Sequence, residues 1–233
     1  HNCPGFKQSS FVQPVAHNSG DFILHILLFG ATGRVGSSVI DFALAGDHSV
    51  TAIVRTRAKI QREDPRLTVI EGDIYKLETL IAPMQSGIDV VVNVVGGDVF
   101  KPSTVVTDSA HAILATMKQY NVTRYVAISG VAQMPACDAG VAAAVAGLRQ
   151  SPFRFGVIDH DGAFAEVTAS DCDWTLVGCP YIPDGGDHTA KYQITPGCFP
   201  GGNCTISPQD VADFIVKEAV DHRYSKQIVG IWY

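Results

Sequence analysis

Apolar positions along the chain fall into two alternating rhythms. Phe22-Ile23-Leu24-His25-Ile26-Leu27-Leu28-Phe29 is a nearly unbroken apolar run of strand length, the pattern of a parallel strand covered on both faces. A glycine-rich turn follows, after which Val35, Val39 and Ala43 recur at helical spacing up to Gly46. Strand-like runs return at Ser49 to Arg55, Leu67 to Glu71 and Ile88 to Val95, the last with Asp89 and Asn93 embedded. Val106, Ala110, Ile113, Met117 and Tyr120 form a helical stripe ahead of a strand over Arg124 to Ile128, and Trp174 to Val177 is a further short strand. Ser207-Pro208-Gln209-Asp210 reads as a helix start, with Ser as cap, Pro at the first helical position and an acid at the third. Val211, Phe214, Ile215 and Ala219 give that helix its apolar face, and Gln227 to Trp232 is the final strand. Strands alternating with helices predict a doubly wound parallel sheet in a three-layer α/β/α sandwich, because parallel neighbours need right-handed crossovers.

Two stretches stand outside this rhythm. Residues 1–21 are rich in Ser, Asn, Pro and Gln without periodicity and read as an arm ahead of a single domain over 22–233. Pro180 to Thr205, dense in Gly and Pro, reads as a long excursion of the kind that serves as a functional lid.

Composition narrows the function. With 46% hydrophobic and 17% charged residues the chain fills a core, and its net charge of −6 supplies no basic stripe for a nucleic-acid backbone. Phe22 to Phe29 is too short to cross a bilayer, so no membrane partner is expected. Six cysteines (Cys3, Cys137, Cys172, Cys179, Cys198, Cys204) lack any C-x-x-C or scaffold-like spacing and read as free thiols in a reducing cytosol. The triplets Asn121-Val122-Thr123 and Asn203-Cys204-Thr205 match the glycosylation pattern, but the start shows no signal-peptide pattern, and the cytoplasmic reading is kept.

The chemistry concentrates in Gly30-Ala31-Thr32-Gly33-Arg34-Val35-Gly36, set between a strand and a helix. In that context Gly30 permits the sharp turn, Gly33 lets backbone approach a phosphate, and Gly36 lets the helix pack against the strand. The helix N-terminus, with Thr32, Arg34 and Val35 in its approach, then offers N–H groups and partial positive charge to a pyrophosphate. The bland alternative is a plain tight turn. About 20 residues on, NAD sites place an acid for the ribose 2′-hydroxyl. Here the chain reads Arg55-Thr56-Arg57-Ala58-Lys59, so Arg55 first, and then Arg57, are expected to meet the 2′-phosphate of NADP(H); an ordinary solvated basic turn is the alternative.

These motifs, with Glu71-Gly72-Asp73-Ile74, Tyr125-Val126-Ala127-Ile128-Ser129-Gly130, Asp159-His160 and Asp173-Trp174-Thr175-Leu176-Val177-Gly178-Cys179-Pro180, resemble the atypical short-chain dehydrogenase/reductase group, NmrA-like and biliverdin-reductase-B-like (flavin reductase) proteins included. The resemblance covers roughly residues 22–233. It implies a Rossmann-like fold in which Asp73 and Ile74 flank the adenine. It further implies that Asn93, Val94 and Gly96 line the ribose side and that Pro180 to Ile182 pass near the nicotinamide. None of the seven tyrosines has a Lys four positions later, so the Tyr-x-x-x-Lys pair of ordinary members is absent. Gly130 stands where relatives carry a second small polar residue, leaving Ser129 as the nearby hydroxyl, and Gly178-Cys179 replaces an Arg before the proline.

Ser129, His160 and Tyr181 are therefore the candidate catalytic residues. Ser129 would orient a substrate oxygen, and His160 or Tyr181 would donate a proton. The alternative for His160 is a structural histidine bonded to Asp159 or Asp161. Tyr192 and His188 lie in the excursion, and Cys179 beside Pro180 reads as a small buried hydrophobe rather than a nucleophile. P-loop, G-x-S-x-G and H-E-x-x-H patterns are absent, and the eight histidines form no metal motif. The expectation is an NADP(H)-dependent oxidoreductase acting on a small carbonyl, quinone or aromatic substrate. Two alternatives stay open: a cofactor-retaining isomerase, cyclase or lyase, and a non-enzymatic NADP redox sensor.

Overall fold

The computed structural model describes residues 23–233, so the proposed N-terminal arm lies outside the described residues. Eight strands form one sheet: β1 His25–Phe29, β2 Ser49–Val54, β3 Leu67–Glu71, β4 Val90–Asn93, β5 Arg124–Gly130, β6 Asp173–Cys179, β7 Gln193–Pro196 and β8 Gln227–Trp232. Their spatial order is β3-β2-β1-β4-β5-β6-β8-β7, and every pairing is parallel except the edge pair β7 and β8. This is the Rossmann-like doubly wound sheet read from the alternating pattern. From β1 the chain winds outward through β2 and β3, then returns to the other side of β1 with β4. That reversal opens a crevice at the carboxyl ends of β1 and β4.

Helices cover both faces. Helix α1 (Gly36–Ala45) packs on α6 (Pro208–Asp221), joining Val39, Ala43, Val211 and Ile215 in one apolar layer. Helices α2 (Glu78–Met84), α3 (Val105–Tyr120) and α5 (Arg154–Ala169) contribute Leu80, Ile113, Met117 and Val167 to the opposite layer. A further helix, α4 (Ala139–Gly147), keeps none of its residues buried. The sheet's amino-end side is locked by a buried ion pair: Arg124 donates to Glu218 Oε1 at 2.7 Å and to Thr175 Oγ1 at 2.8 Å, tying β5, β6 and α6 together.

Local signals placed several boundaries correctly. Gly46 closes α1, and Ser207 caps α6 by accepting the N–H of Gln209 at 3.1 Å. Other expectations need correction. The first strand starts at His25, and Phe22 lies outside the described residues. No apolar periodicity marks α2, α4 or α5; Asp159 and His160 lie within α5, which begins at Arg154. The excursion after β6 is not wholly loop, since it contains β7, whose antiparallel pairing with β8 extends the sheet. The cysteines are not all free: Cys137 and Cys198 form a disulfide that fastens this excursion to the segment after β5. Nothing in their spacing announces the pair, because 61 residues separate them. Cys172, Cys179 and Cys204 are free thiols, and Cys3 lies outside the described residues. No helix among the described residues is long and apolar enough to cross a membrane.

Candidate functional site

The turn between β1 and α1 is built where backbone passes too close for side chains. Gly30 has φ +83°, and a Cβ there would stand 2.7 Å from the Val94 carbonyl carbon of the neighbouring strand end. At Gly36 a Cβ would lie 2.1 Å from the Gly30 carbonyl oxygen, and the N–H of Gly33 donates to that same oxygen at 2.9 Å. No side chain caps the N-terminus of α1 and its first turn carries no acid, so nothing competes with an incoming anion. Thr32 is exposed and Val35 buried, anchoring the turn from beneath. This cradle fits a dinucleotide pyrophosphate.

At the end of β2, Arg55 is exposed, whereas Arg57 turns its guanidinium to the carbonyl of Val69. The two arginines are thus separated: Arg57 braces β3 and Arg55 faces solvent. Asp73 uses its carboxylate locally, accepting the Tyr75 N–H at 3.1 Å, while the half-buried Ile74 packs on the α2/α3 layer. Asn93 turns its side chain inward, donating to Tyr125 Oη at 2.9 Å and Ser109 Oγ at 3.1 Å, and its own oxygen accepts the Val95 N–H. Val94 abuts Gly30 and Gly96 is exposed, so backbone rather than side chains lines this wall of the crevice.

The candidate catalytic residues divide into a pair and a single. Ser129 is buried and lines a small interior cavity with Asn93, Tyr125 and His160. His160 as a residue is half-buried, but its Nδ1 is fully enclosed without a hydrogen-bond partner among the described residues. Burial holds its pKa below the ordinary value, with Asp159 and Asp161 pulling the other way, so the ring is neutral at neutral pH. The neighbouring Asp159 is engaged elsewhere, accepting the N–H groups of Val106 and Thr107 at 3.1 and 2.9 Å and thereby capping α3 from α5. Tyr181 stands apart at the rim. Its ring centre lies 5.4 Å from that of Phe153, which in turn lies 5.4 Å from Phe100.

Arg34 bridges the two sides of the crevice. It donates to the Ile182 carbonyl at 2.6 Å and approaches Asp184 at 3.5 Å, so the glycine turn holds the segment Pro180 to Asp184 directly. Pro180 itself is buried. Tyr192 and His188 serve the other layer: Tyr192 donates to Asp213 at 2.7 Å, and His188 packs edge-on against Phe42, 3.6 Å from Asp213. Burial pushes the Cys179 thiol far up, so it stays protonated. Phe100, Phe153 and the capping role of Asp159 were missed in the sequence, where none of them carries a local motif.

A glycine cradle under an open helix end, at the switch point of a doubly wound sheet, defines a dinucleotide-binding protein of Rossmann type. The chain belongs to the NAD(P)H-binding family, whose model matches residues 30–222, in line with the resemblance to atypical short-chain dehydrogenases. It is 29% identical over 112 residues to the uncharacterized protein YwnB of Bacillus subtilis (strain 168), covering 48% of this chain and 49% of that one. The match thus spans about half the length of that curated relative. Among solved structures, the Burkholderia pseudomallei protein named "Putative exported protein" superposes with a TM-score of 0.72 at 24% identity, over 91% of this chain and 100% of the other. A Veillonella parvula short-chain dehydrogenase/reductase solved in complex with NADP gives 0.72 at 16% identity, over 91% and 95%. At these identities the two structures establish the shared fold.

Proposed function

We propose that the protein is an NADP(H)-dependent oxidoreductase acting on a small organic molecule bearing a carbonyl, quinone or aromatic group. The observation that carries this reading is the cradle itself: glycines where a Cβ would collide with backbone, an uncapped α1 N-terminus, and an exposed arginine with no acid at the end of β2. Gly30, Thr32, Gly33, Arg34, Val35 and Gly36 would hold the pyrophosphate, and Arg55 the 2′-phosphate. Asp73 and Ile74 would border the adenine; Asn93, Val94, Gly96, Pro180 and Ile182 would line the course toward the nicotinamide. When bound, the nicotinamide supplies a hydride. Ser129, which lines the same small cavity as His160, would orient the substrate oxygen, and His160 or Tyr181 would donate the proton.

The disulfide supports a reading of the compartment. Such bonds persist in oxidising surroundings, and the fold neighbour from Burkholderia pseudomallei carries an export-related name. We therefore place the protein outside the reducing cytosol, against the reading drawn from cysteine spacing. The missing Tyr-x-x-x-Lys pair favours one further reading, an isomerase or lyase that keeps the dinucleotide without net turnover.

Titrating the protein with NADPH, NADP and NAD, then following nicotinamide absorbance as carbonyl, quinone and flavin compounds are added, tests the proposal. Tight NADPH binding with substrate-dependent oxidation is expected. Product formed without absorbance change would transfer the assignment to the isomerase, and absence of dinucleotide binding would overturn both.

A further inference from the structure

Three aromatic rings from separate segments meet beside the crevice. Phe100 lies in the loop after β4, Phe153 immediately precedes α5, and Tyr181 follows β6. Their centres are spaced 5.4 Å and 5.4 Å apart, with ring planes tilted by 41° and 48°. Phe100 is nevertheless 52% exposed and Tyr181 37% exposed. A large apolar ring left in water at a crevice mouth forgoes the burial that normally positions it, and such exposed patches mark binding surfaces.

A hydrogen-bond donor stands at the end of this row. The Arg34 guanidinium lies 6.0 Å from the Tyr181 ring centre, and its side chain remains 41% exposed while it holds the Ile182 carbonyl. The Tyr181 hydroxyl adds a second donor. Aromatic faces next to cationic and hydroxyl donors are complementary to a flat ring system whose edge carries oxygen acceptors. Phe153 occupies the N-cap position of α5, the helix that carries His160 seven residues further on.

We infer that Phe100, Phe153 and Tyr181, with Arg34, form a stacking shelf that takes a planar aromatic carbonyl compound of the quinone class. This deepens the oxidoreductase reading and rests on it for the cofactor alongside, but the shelf is testable without turnover.

Menadione, a flat naphthoquinone, is titrated calorimetrically into the full chain with and without oxidised NADP, with cyclohexanone as a saturated ketone control. The expected result is menadione binding about tenfold or more tighter than cyclohexanone, weakened about tenfold in Phe100→Ala and in Phe153→Ala while NADP affinity is unchanged. Phe100→Leu, which keeps apolar volume on an exposed site, is expected to behave like Phe100→Ala. Menadione that fails to bind, or binds equally well to Phe100→Ala, overturns the shelf while leaving the cofactor reading intact if NADP still binds. Phe100-dependent menadione binding without NADP binding would support the shelf and overturn the cofactor reading instead.

Discussion

Thr107 and Asp159 meet at three contacts: the Thr107 N–H donates to the Asp159 carboxylate at 2.9 Å, and the Thr107 hydroxyl shares its proton between that carboxylate at 2.9 Å and the Asp159 backbone carbonyl at 2.8 Å. A Cβ at Gly162, one turn further along α5, would come 2.3 Å from that hydroxyl, so α3 and α5 touch here at backbone range. The capping acid and the glycine together fix the helix that carries His160. Asp159→Ala strands two helix N–H groups and is expected to cost about 2–3 kcal/mol in urea unfolding, with Asp159→Asn costing roughly half as much. Equal stability of Asp159→Ala and the parent would show the cap to be dispensable.

The glycine turn makes a sharper prediction. Gly36→Ala forces a methyl group into the Gly30 carbonyl, 2.1 Å from its ideal position, and the turn must open to admit it. Stability should fall by about 1–3 kcal/mol. NADPH affinity should drop about tenfold or more as the N–H groups move off the phosphate. Thermal unfolding and NADPH titration on one preparation check both.

Arg55 and Arg57 lie two residues apart yet should respond differently. Arg55→Ser is expected to weaken NADPH binding by about tenfold to a hundredfold and leave NADH affinity unchanged, since only the 2′-phosphate contact is lost. Arg57→Ser removes a brace on the Val69 carbonyl and should lower stability with little effect on the NADPH/NADH ratio. Parallel fluorescence titrations with the two cofactors separate these outcomes.

His160 gives a pH dependence with a defined sign. Burial depresses its pKa in the folded protein, so below about pH 6.5 the unfolded chain takes up a proton that the folded chain does not. Stability conferred by the neutral ring is complete above that pH and declines as the pH falls toward the lower folded value. His48, also depressed by burial, adds to the effect. Urea midpoints at pH 7.5 and 5.5 should differ for the parent, and His160→Gln should show a smaller difference; an identical slope in the variant would assign the effect elsewhere.

The disulfide between Cys137 and Cys198 closes a loop with a sequence separation of 61, for which chain entropy gives a stabilisation of about 4 kcal/mol. Thiol titration of the unreduced, denatured protein should leave this pair unreactive. Cys137→Ser should lower the unfolding midpoint and increase proteolysis between β7 and α6, the segment that carries Cys198.

How far the sequence carries depends on distance along the chain. The apolar run of β1, the glycine turn, the 3.6-residue stripe of α3 and the Ser-Pro start of α6 are local patterns, each set by backbone preferences within one or two turns; the turn, α3 and α6 lie where the pattern puts them, and β1 begins at His25, inside its apolar run. Helix α5 escaped notice because its 16 residues bury only Val157, Asp159, Ala163 and Val167, too sparse a stripe to stand out. Strand β7 escaped because its burial pattern shows no apolar face of its own and its place comes from pairing with β8.

The sequence by itself determined a strand-helix alternation and a phosphate-sized glycine turn, because both arise from local sterics and periodicity. Only the tertiary structure decided that Arg34 reaches Ile182, 148 residues away, and that Cys137 finds Cys198. It likewise decided that Asp159 caps another helix, and that Phe100, Phe153 and Tyr181 share one rim. Those contacts join segments whose meeting depends on the order of the strands and the packing of the layers, and no run of neighbouring residues encodes it.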